Sequence, residues 1–285
     1  MTSSNSFKHM NANSSQTCNK WLKAAQQKLA AANIATARLD ALVLLEDETG
    51  KDRSWLLAHP EYELPTSVIN ALNNKVAQRV LHTPLAYIRG KTEFYGREFL
   101  VSPAVLEPRP ESETMIDLLL HLPAVKAKNV HIADVGTGSG ALGITTKLEL
   151  PNATVDLLEI DMAAMEMAKK NVVNHAITVN VIESNLLASS PKSYDILLCN
   201  LPYVPDDFQI NTAAMSEPRI AIFGGPDGLE IYRQLFVQIV DLQKKPLFVL
   251  SEALPPQHEA LAGIAKSAGY KLQKTDDFIQ VFERL

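Results

Sequence analysis

From residue 129 onward the chain alternates between two kinds of apolar pattern, and this constrains its fold more than any other feature. Runs suited to strands fall near 130–135, 154–160, 178–183, 194–199 and 246–252. Segments of helical periodicity lie between them, at 141–149, 162–175 and 227–243. Strands separated by helices cannot pair as tight hairpins. Each crossover brings the chain back in the same direction and builds a mostly parallel sheet covered on both faces. Phe278 to Phe282 suit a final strand that could be antiparallel. An α/β, Rossmann-like domain is predicted over 111–285, with 112–121 as its first helix.

The first part of the chain has a different period. Cys18, Trp21, Leu22, Ala25 and Leu29 share one helical face. Thr36 is placed to cap a second helix closed by Gly50. Ser54 to Leu57 begin a short third helix stopped at Pro60, and a fourth runs from Thr66 to Leu81. Residues 17–83 are thus a small helical domain, and 1–16, rich in Ser and Asn, read as a disordered tail. Over 84–110, Glu93 to Val101 read as two short strands turning at Gly96. Pro103, Pro108 and Pro110 break the chain after them. This segment is expected to be a β-hairpin linker.

With 285 residues, 46% of them hydrophobic, there is material for two cores. A net charge of −5 argues against a polybasic nucleic-acid surface. Cys18 and Cys199 lie far apart, and the seven histidines form no ligand-spaced cluster, so neither a disulfide framework nor a metal site is expected. No apolar run reaches membrane-spanning length, and the N-terminus lacks a signal peptide's apolar core. A cytoplasmic monomer is the expectation, although a targeting role for the tail stays open.

Two motifs carry chemistry. The first is Ile132-Ala133-Asp134-Val135-Gly136-Thr137-Gly138-Ser139-Gly140, a strand, a glycine loop and a helix start. Such loops let backbone approach a ligand closely and serve nicotinamide, flavin and S-adenosylmethionine alike. Asp134 favours S-adenosylmethionine, because a carboxylate beside the loop suits an ammonium and a sulfonium but opposes a pyrophosphate. Acids also end the next strand. Asp161 is the better placed to accept from ribose hydroxyls, and Glu159 is either an alternative or a buried partner. Both Asp134 and Asp161 could instead cap turns. After the third strand, Asn185 and Leu186 are positioned for the adenine.

The second motif is Asn200-Leu201-Pro202-Tyr203, at the end of the run Tyr194 to Cys199. An amide nitrogen is a poor nucleophile because its lone pair is delocalised. Two acceptors against its N–H bonds would hold it and aim the lone pair at a methyl donor. The Asn200 side-chain oxygen and the Leu201 carbonyl can supply them. Pro202 stiffens the turn, and Tyr203 can stack on the planar group. The motif could also be a plain strand-end turn, or could hold the exocyclic amine of adenine.

These residues, with Ala37 to Ala41, Leu56 to Glu61, Pro84 to Gly90, Phe99 to Glu113, Glu217-Pro218-Arg219, Gly224 to Leu229 and Tyr232-Arg233, give a resemblance over roughly 20–260. The chain resembles the HemK/PrmC-type protein-(glutamine-N5) methyltransferases. The resemblance implies a class I S-adenosylmethionine-dependent methyltransferase fold with a seven-stranded sheet. It also implies a five-helix-like N-terminal domain that docks a class I peptide-chain release factor. It assigns Gly136, Thr137, Gly138, Ser139, Gly140 and Asp161 to the donor, Asn200 to donor and substrate, and Asn200 to Tyr203 to the glutamine. Leu201 departs from the family's Asn-Pro-Pro-Tyr and matches the form seen in ribosomal RNA adenine dimethyltransferases. Asn185 stands where the family more often has Asp. An adenine N6-methyltransferase and a non-catalytic module of the same fold therefore remain as alternatives. Arg109 is read as a structural ion-pair partner before it is read as a contact for the donor's carboxylate.

Overall fold

A computed structural model describes residues 16–126, 129–190, 193–210 and 214–285. The tail expected over 1–16 therefore lies, except for Gln16, outside the described residues. The chain divides into two compact units between Arg89 and Gly90.

The first unit is helical. Strand β1 (Gln16–Thr17) leads into α1 (Cys18–Ala31), α2 (Ala37–Thr49), α3 (Arg53–Ala58), β2 (Glu63–Leu64), α4 (Thr66–Val80) and α5 (Leu85–Arg89). The expected apolar face of α1 is buried, and Leu29, Leu44, Leu45 and Leu72 are wholly enclosed. Each such side chain stabilises the fold by about 1.5–3 kcal/mol. Gly50 ends α2 in the left-handed conformation, as expected. Thr36 precedes α2 but makes no side-chain cap; Asp52 caps α3 by accepting from the Trp55 N–H at 2.8 Å. Asp40 is buried and paired with Arg79 at 2.7 Å.

The second unit opens with the hairpin β3 (Lys91–Phe94) and β4 (Arg97–Leu100), turning through Tyr95 and Gly96. It continues with α6 (Glu113–Leu120), β5 (His131–Val135), α7 (Ala141–Glu149), β6 (Thr154–Glu159) and α8 (Met162–Asn174). Then come β7 (Asn180–Glu183), β8 (Ile196–Cys199), α9 (Glu230–Asp241), β9 (Phe248–Glu252), α10 (His258–Ser267), β10 (Tyr270–Asp276) and β11 (Ile279–Arg284).

The segment expected to be a linker over 84–110 is divided. Leu85 to Arg89 form a helix of the first unit, whereas the hairpin belongs to the second. The reason is burial: Phe94 and Phe99 meet edge-on and pack into the core of the second unit. Asn171 of α8 reinforces this by bonding both backbone groups of Leu100.

The main sheet has seven strands in the order β10-β11-β9-β8-β5-β6-β7. Strands β9, β8, β5, β6 and β7 run parallel; β11 is antiparallel to β9, and β10 to β11. Side chains alternate between two cores: Ile132, Ile196 and Leu198 face one, and Ala133, Val135, Leu197 and Cys199 the other. From β5 the chain moves outward to β6 and β7, then returns to the opposite side of β5 with β8. Such a reversal leaves a crevice at the carboxyl ends of the two strands. No helix among the described residues is long and apolar enough to cross a membrane.

Candidate active site

Beyond β5 the backbone turns through Gly136, Gly138 and Gly140, all at positive φ, into α7. The N–H groups of Gly136 and Thr137 both donate to the Leu158 carbonyl, at 2.8 and 3.0 Å. Asp134 is buried, and its Oδ2 accepts from the Thr137 hydroxyl at 2.5 Å and the Gly143 N–H at 2.8 Å. It is therefore an internal brace of the loop as well as a wall of the crevice. Burial raises its carboxyl to about 6, against those two hydrogen bonds.

The two acids after β6 divide their roles. Glu159 is buried; its Oε2 accepts from the Gly138 N–H at 2.8 Å, and its Oε1 accepts from the N–H groups of Ile160 and Asp161. Asp161 caps α8, its Oδ1 accepting from the Ala164 N–H at 2.8 Å. Asp161 is the acid the sequence places toward the ligand. Both acids line the crevice, Glu159 bonded to the loop itself and Asp161 with one oxygen taken by the cap.

At the next strand end Leu186 takes a positive φ and is held by the Ser184 hydroxyl, which donates to its carbonyl at 2.8 Å. Asn171, which no sequence motif marks, also donates to the Ser139 carbonyl at 2.8 Å and so joins the glycine loop to the hairpin.

On the acceptor side, Asn200 is the first residue after β8. Its Nδ2 donates to the Ser112 hydroxyl oxygen at 2.9 Å. Ser112 donates in turn to Glu252 Oε2 at 2.5 Å, and the Tyr203 hydroxyl donates to Glu252 Oε1 at 2.9 Å. Glu252 ends β9 and is buried; burial pushes its carboxyl above the usual range and the Tyr203 phenol well above its own. The Tyr232 hydroxyl sits between the carbonyls of Cys199 and Glu252, at 2.8 and 2.6 Å, tying the ends of β8 and β9. Gln257 donates to the Tyr203 carbonyl at 2.7 Å. A side chain at Gly228 would strike that carbonyl at 2.0 Å, so only glycine lets the later loop close on the motif. Ser112 and Glu252 were not identified from sequence. A lone acid ending the apolar strand Phe248–Glu252 was the available signal.

One cavity of about 220 Å³ gathers most of the expected residues. Asp134, Gly136, Thr137, Gly138, Ser139, Asp161, Asn185, Leu186, Asn200, Leu201 and Pro202 line it, together with Glu159. Gly140 and Tyr203 do not: the first starts the helix, and the second is turned to Glu252. Ser112 also lines it, and Val105, Pro108, Pro218 and Ile220 form part of its wall. The two segments that supply them are joined by an ion pair, Arg109 to Glu217, at 2.6 Å. The expected ion-pair role of Arg109 is the one the structure shows.

A seven-stranded sheet with this reversal, a glycine loop at its crevice and an Asn-x-Pro-Tyr turn opposite define a class I methyltransferase. Residues 113–217 match the methyltransferase small domain, and residues 20–90 match the PrmC N-terminal domain. The release factor glutamine methyltransferase of Koribacter versatilis is 35% identical over 83% of this chain and 88% of its own. That of Coxiella burnetii is 34% identical over 83% and 86%. The chain belongs to the release factor glutamine methyltransferase family. It is also 30% identical to a bifunctional methyltransferase of Rickettsia bellii, covering 93% of this chain but only 53% of that protein, so it spans about half of such relatives. Among solved structures, the hMettl16 catalytic domain shares the fold at a TM-score of 0.53 and 16% identity, covering 74% of this chain and 82% of its own.

Proposed function

We propose that the protein transfers a methyl group from S-adenosylmethionine to the side-chain N5 of a protein glutamine, that of the Gly-Gly-Gln motif of a class I peptide-chain release factor. The observation that carries this reading is the Asn200 carboxamide. It is fixed through Nδ2 to Ser112, which leaves Oδ1 on its other edge, and it lines the same cavity as the glycine loop.

The chain's own groups suit the donor. A side chain added at Gly138 would meet no protein atom within 4 Å, so the cavity stays open there for a ligand. Glu159 and the second oxygen of Asp161 would accept from ribose hydroxyls, and Asn185 and Leu186 would take the adenine. Asp134 would face the ammonium end. When bound, the donor supplies an electrophilic methyl on a sulfonium.

Asn200 Oδ1 and the Leu201 carbonyl would accept the two N–H bonds of the glutamine amide and turn its lone pair toward that methyl. Pro202 fixes the turn, and Tyr203, turned to Glu252, anchors its far end rather than facing the cavity. Positioning and oriented dipoles carry the rate, without a strong base. The helical first unit would dock the release factor. The net charge of −5 and the likeness to release factor glutamine methyltransferases support a protein substrate over nucleic acid; a cytoplasmic monomer is part of the same proposal.

The test is transfer of labelled methyl from the donor to three substrates: an intact release factor, the same factor with its Gly-Gly-Gln glutamine replaced by alanine, and ribosomal RNA. Label on the intact factor alone supports the reading. Label on RNA replaces it with the adenine reading that Leu201 invites. Donor binding with no transfer to any of the three opposes it in favour of another protein substrate or a binding module.

A further inference from the structure

We propose that Glu252 is a positioning residue that, through Ser112, sets which edge of the Asn200 carboxamide faces the methyl acceptor. The inference rests on the function proposed above.

The two orientations of an Asn carboxamide are nearly identical in shape, and only hydrogen-bond partners distinguish them. Glutamine methylation needs Oδ1 toward the substrate, because an amide N–H must be accepted. Ser112 touches the Nδ2 edge at 2.9 Å, but a hydroxyl can donate as well as accept. Alone it would hold either orientation. Its polarity is fixed one bond further on: Ser112 lies 2.5 Å from Glu252 Oε2, and an ionised carboxylate only accepts. The Ser112 proton is therefore committed to Glu252, and Ser112 can offer Asn200 only a lone pair. That lone pair takes Nδ2 and leaves Oδ1 outward. The second carboxylate oxygen does the same for Tyr203, whose hydroxyl proton is drawn to Oε1 at 2.9 Å. One buried acid thus orders both ends of the Asn-Leu-Pro-Tyr turn.

A purely structural role would need only a polar group of similar shape. Glutamine at 252 is such a group, but one of its two heads donates. It can accept from Ser112 or from Tyr203, not from both. The charge, more than the shape, is what the arrangement uses.

The groups facing this carboxylate are Ser112, Glu111 and Arg109 from the segment before α6, and Tyr203 from the turn. Tyr232 of α9 meets its backbone, and His258 of α10 contacts the next carbonyl at 3.2 Å. Protonation of Glu252 frees the Ser112 hydroxyl to donate to Asn200, so turnover should fall as pH drops through the Glu252 titration.

The experiment compares wild type, Glu252→Gln, Ser112→Ala and Ser112→Thr as full-length proteins, with two readouts. The first is the side-chain amide signal of Asn200 by nitrogen-15 NMR without substrate, assigned by its loss in Asn200→Ala. The expected result is a shift with pH in wild type that is absent in Glu252→Gln, and a changed signal in Ser112→Ala. The second is methyl transfer to the release factor. The expected result is a kcat reduced about 10²-fold in Glu252→Gln and in Ser112→Ala, with donor affinity and KM near wild type. Ser112→Thr, which keeps the hydroxyl, should retain activity, and the acid limb of the kcat profile should vanish in Glu252→Gln. An Asn200 signal that is the same in Glu252→Gln as in wild type, at every pH, overturns the inference whatever the protein methylates. An altered signal in a wild type that does not methylate the factor upholds the orienting role and rejects the glutamine reading. A general loss of donor binding and thermal stability, with the Asn200 signal unmoved in the folded fraction, assigns Glu252 to structure alone and also overturns it.

Discussion

Leu201 lies directly over Gly136. A side-chain carbon added at Gly136 would stand 2.9 Å from Leu201 Cδ2, so the Asn-Leu-Pro-Tyr turn and the glycine loop are packed against each other through one leucine. Leu201 is buried in the core on that face of the sheet. The residue that departs from the family's usual Asn-Pro-Pro-Tyr is thus a spacer between the two halves of the site. Leu201→Ala should cost about 2–5 kcal/mol of stability, as for other buried leucines, and loosen the glycine loop. Denaturant unfolding and donor titration measure the two effects, and an unchanged donor affinity would separate the leucine from the loop.

Gly136→Ala tests the same contact from the other side. Its φ of +70° alone costs about 1–2 kcal/mol for a residue with a side chain. The close approach to Leu201 adds to that. Donor affinity should fall, and the double variant Gly136→Ala with Leu201→Ala should recover part of the loss. Calorimetric titration of the four proteins gives the coupling.

Asp134 predicts a pH dependence with a definite sign. Its carboxyl goes from 3.8 when unfolded to about 6 when folded, because burial opposes the charge. A raised folded value means that the contribution of this group to stability is fully present below pH 3.8. It is lost as pH rises through about 6, a change of about 3 kcal/mol. Asn at this position keeps an acceptor for Thr137 and Gly143. Asp134→Asn should therefore flatten this slope and be more stable than wild type near neutrality, while binding the donor less well. Unfolding curves across pH check the first part. A variant less stable than wild type at pH 7 would show that the charge is favourable where it sits.

Breaking the Arg109–Glu217 pair should act on the crevice. The Glu217 side chain is only 2% exposed, and its carboxylate would be left without its partner. Arg109→Ala should weaken donor binding and speed proteolysis of the segment that follows the acceptor turn. Limited proteolysis with and without donor reads this. Equal cleavage rates in the variant and wild type would mean that the pair does not hold the segment.

Legibility in the sequence followed burial. The parallel core was readable because β5, β6, β8 and β9 are mostly apolar and buried along nearly their whole length. Edge strand β10 was not, since after Tyr270 its residues are exposed and mostly polar, and α10 buries little beyond Leu261 and Ala265. The hairpin was seen as two strands, but its proline-rich flank suggested a linker; only the burial of Phe94 and Phe99 shows which unit owns it. The glycine loop and the Asn-Leu-Pro-Tyr turn were legible because their chemistry is local. Ser112 and Glu252 were not, because the hydrogen bonds from Asn200 to Ser112 and from Ser112 to Glu252 exist only once folding brings residues 112, 200 and 252 together. Glu159 and Asp161 sit two residues apart, and sequence alone does not say which one is spent on a helix cap.

The measurement that bears most directly on the central claim is tandem mass spectrometry of a release factor after incubation with the protein and S-adenosylmethionine. It should be run beside the Asn200→Ala variant. The account predicts a single added methyl on the side-chain nitrogen of the Gly-Gly-Gln glutamine, formed about 10²–10³-fold more slowly by the variant. A methyl at any other residue, or an Asn200→Ala variant as fast as wild type, would contradict it.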